Sequence, residues 1–258
     1  MNKRNKFSLF MFTATMLFFY IPLLVLIIFS FNSDKGNIWT GFSLQWYKEL
    51  FQNGQLWSAF SNSIIIALLS GLTATAIGTL GALGLHWYNF KHKKYLQIVT
   101  YLPLIIPELI IGVSLLIFFS KVLPLKLNLF TVFLAHATFN IPFVLFIVMS
   151  RLEEFDYSII EAAYDLGANE IKTLYKVIIP MIMPGIVSGF LMAVTLSLDD
   201  FVITKFVAGD GVSMLPLMIF RIIKSGESPV VNALSVILVG MTILLALASR
   251  KIHKYLFK

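Results

Sequence analysis

The chain has 258 residues, of which 58% are hydrophobic and 13% are charged, and its formal net charge is +7. An ordinary soluble domain has about 25% charged residues, so this composition excludes a soluble globule and predicts one membrane domain over residues 1–258. Cysteine is absent, which excludes disulfides, thiolate metal sites and a catalytic thiol. Lys and Arg cluster at the ends of apolar runs, where they set topology and meet anionic lipid, so we expect no binding to nucleic acid.

Six apolar stretches are long enough to cross a lipid bilayer, whose core needs about 20 predominantly apolar residues. In chain order they are residues 7–31, 60–88, 96–119, 127–149, 186–207 and 231–248. Hydrocarbon offers no water to backbone N–H and C=O groups, so each stretch is predicted to be helical. The predicted fold class is therefore all-α, a polytopic membrane protein with six transmembrane helices.

The first stretch follows Lys3, Arg4 and Lys6, a basic start that resembles a signal peptide. It is too long for a signal-peptide core and lacks a clear small-residue cleavage site, so we predict an uncleaved first span. With six spans, the segments on the N-terminal side of the membrane hold thirteen of the 20 Lys and Arg residues. The excess of positive charge on that side predicts that both termini are cytoplasmic.

Small residues and prolines mark particular spans. Small side chains let helices approach closely in a membrane, which is the predicted role of four glycines in the second span, Gly71, Gly78, Gly81 and Gly84. Pro103 and Pro107 in the third span and Pro142 in the fourth are predicted to kink or break their helices. Broken helices at membrane depth usually face protein or a water-filled path.

The segment that joins the fourth and fifth spans, residues 151–183, has six acidic and three basic residues and is polar enough to leave the membrane. A helix is predicted over residues 153–166, ended by Gly167 in a left-handed conformation. Asn169 is the predicted N-cap of a second helix, which ends at Pro180. This segment is therefore predicted to be a cytoplasmic helical hairpin.

The hairpin contains Glu161-Ala162-Ala163, a charge beside two small side chains that suits close docking into a groove of another protein. With Gly167 and the sequence Val-Ile-Ile-Pro at 177–180, it resembles the EAA loop of ABC importer permeases. That family pattern is EAA, three residues, Gly, nine residues and I-x-L-P, from which Val177 and Ile179 depart conservatively. In the family this coupling loop sits in a cleft of the ATPase subunit. The resemblance implies that the ATPase contact is made by Glu161, Ala162, Ala163 and Gly167.

The resemblance extends over essentially the whole chain and is to the second permease subunit of spermidine/putrescine importers. It rests on FNSDKGNIWTGFSLQWY, SRLEEFDYSIIEAAYDLGA, LSLDDFVITKFVAG and LPLMIFRIIKSGESPVVNAL. It implies a permease subunit of an ATP-binding-cassette importer in the bacterial cell membrane, which forms a translocation path for polyamines. The implied partners, besides the lipid bilayer, are a homologous second permease subunit, two ATPase subunits that bind ATP and Mg, and an extracytoplasmic substrate-binding protein.

Three acidic residues lie inside the predicted spans, Glu108 in the third and Asp199 and Asp200 in the fifth. An ionised Asp at a helix centre costs roughly 2.5–3.5 kcal/mol on insertion scales, so such residues should face a polar path or a partner. One interpretation is that they line a route for a multiply protonated polyamine. The other is structural: the Asp pair bonds to Lys205 or a partner subunit, and Glu108 is solvated at the Pro107 kink. Adjacent helical residues point about 100° apart, so one Asp at most is expected to face the path.

Two further polar residues lie one helical turn apart in the fourth span, His136 and Asn140. Polar side chains in transmembrane helices often form hydrogen bonds between helices. We predict this role for both residues rather than contact with the substrate.

Catalytic and nucleotide-binding motifs are missing. Without a G-x-x-x-x-G-K-[ST] loop the chain should not hydrolyse ATP, so ATP hydrolysis belongs to a separate subunit and no cofactor or metal is expected on this chain. Without H-E-x-x-H or G-x-S-x-G, an intramembrane enzyme is a weak alternative. Two transport functions besides polyamine import stay open: an ABC permease for thiamine or ferric iron, and an ion-driven secondary carrier, which would have no use for the EAA hairpin.

Overall fold

The computed structural model describes the backbone of residues 3–36, 38–154, 156–226 and 228–256, and their side chains except those of 3–5, 228 and 244–256. Within these ranges the regular secondary structure is helical, with one isolated bridge between Asn32 and Phe42 and no named strand. The predicted all-α fold class is confirmed. The α-helices are α1 Lys3–Phe29, α2 Gln45–Gln52, α3 Gly54–Trp87, α4 Lys93–Ile105, α5 Glu108–Ile117, α6 Leu129–Glu153, α7 Ser158–Asp165, α8 Glu170–Thr173, α9 Ile179–Asp199, α10 Val202–Val207, α11 Leu215–Lys224 and α12 Ser228–Leu256.

The apolar helices follow the order of the six predicted stretches. Among the described residues, four helical segments are long and apolar enough to cross a membrane, namely Lys6–Phe29, Gly54–Trp87, Leu129–Glu153 and Glu170–Asp199. Helices α4 and α5, the latter extended by a π-helical turn to Val122, form a pair bent by 109° that counts as one broken span. A shorter apolar segment, Pro229–Ile243, lies within α12. The helix pattern thus agrees with six spans.

The chain divides into two compact units, one made of Met1–Trp57 with Met218–Lys258 and the other of Ser58–Leu217. In the first unit, α1 and α2 each pack against α12. The loop before α2 is ordered by the buried Asn32, whose carbonyl oxygen accepts a hydrogen bond from Trp46 Nε1 at 2.6 Å. The indole of α2 is therefore fixed to the chain that leaves α1.

In the second unit α6 packs against α4, α9 and α10. A Cβ on Gly78 of α3 would lie 2.9 Å from Val144 Cβ of α6, and a Cβ on Gly189 of α9 would lie 3.1 Å from Val144 Cγ1. Two helix backbones therefore approach α6 at one valine, and the predicted packing role is confirmed for Gly78. A Cβ on Gly84 would meet no atom within 4 Å, so the close packing predicted for Gly84 is not found within the described part of this chain.

The prolines have different effects on their helices. Pro107 is the N-cap of α5 and stands at the break of the third span, as predicted. Pro142 lies inside α6, which continues from Leu129 to Glu153, so the fourth span is not broken there. The prediction that the hairpin's second helix ends at Pro180 is wrong. A π-helical turn at Leu174–Ile178 precedes Pro180, which occupies the first turn of α9, where a missing N–H is tolerated.

Candidate functional site

The first helix of the hairpin between the fourth and fifth spans is shorter than predicted. The helix expected over residues 153–166 is divided, because α6 continues to Glu153 and α7 begins at Ser158. After α7, Gly167 has φ +80°, and the Ala168 N–H donates to the Ala163 carbonyl at 3.0 Å, which closes the helix end. Asn169 Oδ1 accepts from the Lys172 N–H at 2.9 Å. The left-handed glycine and the Asn N-cap are therefore confirmed.

Within this hairpin, Glu161 and Ala162 are exposed and Ala163 is buried. The same hairpin carries exposed apolar side chains: Leu166 is 88% exposed, Ile171 68% and Tyr175 65%. Exposed apolar groups of this size beside a charged residue are typical of a protein–protein contact. The hairpin thus presents a mixed apolar and acidic surface around the EAA sequence.

The hairpin is tied to α3 through Tyr157. Its hydroxyl forms a hydrogen bond with His86 Nε2, and the two rings stack with centroids 5.9 Å apart and planes 9° from parallel. The neighbouring Asp156 accepts a hydrogen bond from the Ser158 N–H at 3.0 Å, which holds the pKa of Asp156 below its usual range. Movement of the hairpin can therefore reach α3 directly.

The three acidic residues singled out from the sequence lie at two neighbouring helix breaks in the second unit. Glu108 is the first residue of α5, directly after the break at Pro107, and Asp199 is the last residue of α9. Both are exposed, whereas Asp200 is 8% exposed, as expected for adjacent residues that point in different directions. Glu108 lies close enough to Asp199 and Asp200 for the three carboxylates to share one region of negative charge. We call these three residues the acidic cluster.

The fifth span is interrupted at the acidic cluster, so the helix predicted through residue 207 is wrong in this part. Helix α9 ends at Asp199 and α10 begins at Val202. Asp200 Oδ1 accepts from the Ile203 N–H at 3.1 Å and Oδ2 accepts from the Thr204 N–H at 2.7 Å. The side chain caps the new helix, because a carboxylate satisfies N–H groups that have no partner in the first turn.

Helix α10 also packs on α5, which begins with Glu108. A Cβ on Gly112 would lie 2.8 Å from the Phe206 ring and 3.4 Å from Ile203 Cα. The close contact, one helical turn after Glu108, holds the two broken spans together. Both helix breaks thus contribute to one acidic site.

Hydrogen bonds between helices are confirmed for both polar residues of α6. His136 Nε2 lies 2.9 Å from Thr204 Oγ1 and 3.1 Å from Asp200 Oδ2, and Nδ1 lies 2.6 Å from Ser197 Oγ. Asn140 Nδ2 donates to the Ala193 carbonyl of α9 at 3.1 Å. The sequence signal for His136 was its place in an apolar span, whereas its partners are 61 and 68 residues away and carry no local signal.

A family model described as binding-protein-dependent transport system inner membrane component matches residues 74–258. The chain belongs to this family. The permease is 39% identical over 243 residues to the spermidine/putrescine transport system permease protein PotC of Escherichia coli (strain K12), covering 94% of this chain and 92% of the relative. It is 40% identical over 238 residues to PotC of Haemophilus influenzae, with 92% of each chain covered. It is also 40% identical over 230 residues to the putrescine transport system permease protein PotI of Escherichia coli (strain K12), covering 86% and 82%.

Solved structures show the same fold. The permease superposes on a chain of a bacterial ABC transporter involved in the import of the acidic polysaccharide alginate with a TM-score of 0.75 and 16% identity, covering 97% and 98% of the two chains. A second structure, the bacterial alginate ABC transporter in complex with alginate pentasaccharide-bound periplasmic protein, gives a TM-score of 0.74 at 18% identity over 94% and 92%. The permease is thus a multi-pass inner-membrane component with an ABC permease fold.

Proposed function

We propose that this permease forms the translocation path for polyamines such as spermidine and putrescine, in a bacterial ABC importer. The observation that carries the proposal is the acidic cluster at two helix breaks, because a protonated polyamine needs carboxylates where it loses water. The 39–40% identity to polyamine permeases over most of the chain supports the same cargo. Both exposed members, Glu108 and Asp199, contact the cargo in this proposal.

The buried member of the cluster, Asp200, contributes negative charge from behind the path. Opposite charges attract more strongly in a partly desolvated site than in water, so a buried carboxylate adds attraction without direct contact. Because Asp200 accepts hydrogen bonds from α10, it stays in place while cargo passes. Separate carboxylates also let the cargo move from one to the next.

Energy for transport comes, in this proposal, from two ATPase subunits that bind ATP and Mg. The docking segment is Glu161, Ala162, Ala163 and Gly167, with Ala163 on its inner side, and the exposed apolar groups around it support a protein contact. A homologous permease subunit completes the path, and an extracytoplasmic substrate-binding protein delivers the cargo. The chain acts as one permease domain with a coupling loop at 151–183, in the cell membrane with both termini in the cytoplasm.

The test is uptake of radiolabelled spermidine by cells that express the complete transporter, with the membrane level of each variant measured. Asp199→Asn and Glu108→Gln should each raise KM about tenfold, because each removes the negative charge that strengthens a hydrogen bond to the protonated cargo. ATPase activity should persist in both. Asp210→Asn, in the exposed loop after α10, is the matched control and should leave KM unchanged.

Glu161→Lys tests the coupling loop in the same assay. The reversed charge should prevent co-purification of the ATPase and abolish uptake while the permease itself reaches the membrane. If the native complex moves no polyamine, the cargo assignment fails, and uptake of thiamine and ferric iron is then measured. Normal KM in both acidic variants would instead refute the path assignment.

A further inference from the structure

The hydrogen bonds of His136 leave none of its ring nitrogens for a substrate. The side chain is 1% exposed and reaches from α6 to Ser197 of α9, to Asp200 after α9 and to Thr204 of α10. The His136 side chain of α6 therefore contacts both α9 and α10, the two helices on either side of the break in the fifth span. A residue that only filled space there would need no polar partners.

The contacts give the direction of the hydrogen bonds on the Nε2 side of the ring. Thr204 Oγ1 donates to Asp200 Oδ2 at 2.7 Å, so its oxygen accepts from His136 Nε2–H. Ser197 Oγ lies 2.6 Å from His136 Nδ1 and 3.2 Å from Ser70 Oγ. Both ring nitrogens of His136 therefore have a polar partner on another helix. The Asp200 carboxylate accepts hydrogen bonds from Ile203 and Thr204 of α10, and His136 Nε2 of α6 lies 3.1 Å from its Oδ2.

This arrangement connects His136 to the two exposed carboxylates. Asp199 is covalently next to Asp200, so the direction of its side chain depends on where the capping carboxylate is held. Glu108 begins α5, which packs on α10, the helix that Asp200 caps. One imidazole therefore determines the placement of the break on which both carboxylates depend.

We propose that His136 is a positioning residue of the cation path, which holds the α9–α10 break so that Asp199 and Glu108 present their carboxylates to the cargo. This inference rests on the proposed function. It assigns to His136 no contact with the polyamine and no proton transfer. It predicts that the direct effect of losing the imidazole is a changed position of residue 199 at the α9–α10 break.

The first readout is independent of cargo. The chain has no cysteine, so Asp199→Cys introduces a single thiol into it. In the complete transporter, the rate at which a cationic, membrane-impermeant thiol reagent modifies this chain reports the exposure of residue 199. His136→Leu should change that rate about threefold or more, because the rate of thiol modification depends on the exposure and charge surroundings of the cysteine.

The second readout is the KM of spermidine uptake in chains that keep Asp199. His136→Leu should raise KM about five- to tenfold with a smaller change in maximal rate per transporter, because a carboxylate is misplaced and not removed. His136→Gln keeps an N–H donor near the place of Nε2 and should stay within about twofold of native.

The matched control is Asn140→Leu. Asn140 is equally buried, lies one turn further along α6 and bonds to α9 at Ala193, away from the break. It should lower the amount of folded protein without changing either readout. If His136→Leu does not accumulate, Thr204→Val removes the hydroxyl between His136 and Asp200 at nearly constant shape and should shift both readouts in the same direction.

The outcomes separate the two proposals. In one outcome the native complex transports spermidine and Asp199→Asn raises KM, but His136→Leu leaves both KM and the labelling rate unchanged. This result would overturn the positioning role of His136 and leave the polyamine path intact. Equal shifts in Asn140→Leu would likewise reduce His136 to a packing residue. Failure of the native complex to move spermidine would refute the cargo, while the labelling rates still decide whether His136 sets the break.

Discussion

Asp200 combines two roles that the sequence could only present as alternatives. It is paired structurally, through His136 and the first turn of α10, and it also belongs electrostatically to the acidic cluster. Its exposed neighbour Asp199 has the same charge and a different surrounding. The two residues should therefore respond to the same substitution in different ways.

Asp200→Asn should lower the free energy of unfolding by about 2–3 kcal/mol, because an amide replaces one acceptor oxygen by N–H groups that face the N–H donors of α10. Asp199→Asn, at an exposed site, should change it by less than about 0.5 kcal/mol. Thermal unfolding of the purified transporter and the membrane level of each variant provide the measurement. Equal stability of the two variants would contradict the capping role.

At the scale of elements, the helix breaks and the hairpin turn depend on different residues. The third span breaks at Pro107, whereas the fifth breaks where the Asp200 side chain caps a new helix. The hairpin turns at Gly167, whose φ of +80° is one that residues with a Cβ rarely adopt. Proline alone therefore does not predict a break, since Pro142 remains inside α6.

Gly167→Ala should destabilise the hairpin by roughly 1–2 kcal/mol, because the left-handed conformation is strained for a residue with a Cβ. Gly84→Ala is the control: it is helical with open space around it, and alanine should stabilise α3 by up to about 1 kcal/mol. Limited proteolysis at the hairpin and co-purification of the ATPase are the measurements. Gly167→Asn should retain more ATPase than Gly167→Ala, since Asn tolerates this conformation.

At the scale of the whole molecule, the apolar surface is far larger than a water-soluble chain would tolerate. The apolar window within Lys6–Phe29 has no residue buried inside the chain, and phenylalanine and leucine side chains along it are exposed. An apolar surrounding such as the lipid bilayer is what such a helix requires. The distribution of Lys and Arg then decides which side of the membrane each end occupies.

Fusions to reporter enzymes test this topology. Alkaline phosphatase placed after Lys258 should be inactive and green fluorescent protein there should be fluorescent, because the proposed C-terminus is cytoplasmic. Alkaline phosphatase inserted after Asn53, in the first outer segment, should be active. Activity at both positions would overturn the proposed orientation, and fusion after Asp156 serves as a second cytoplasmic control.

The sequence by itself determined the features that depend on local physics. Apolar runs of membrane length required helices, and the order Glu161-Ala162-Ala163, Gly167, Asn169 predicted a helix, a left-handed turn and a capped helix, as the structure shows. These features can be predicted from the sequence because hydropathy and helix capping depend on a few neighbouring residues. The effects of the prolines were predicted less accurately. Proline removes a backbone hydrogen bond from its helix, and whether the helix then breaks depends on how neighbouring helices pack against it.

Only the tertiary structure decided which distant groups meet. The approach of Glu108 to Asp199 and Asp200, and the bonds from His136 to Ser197 and Thr204, join residues that are far apart in the chain. Such pairings depend on how α5, α6 and α10 pack, and helices that are apolar on all faces carry little periodic signal to choose that packing. The cost of leaving a buried carboxylate without donors then selects one arrangement, and with it the place where the fifth span breaks.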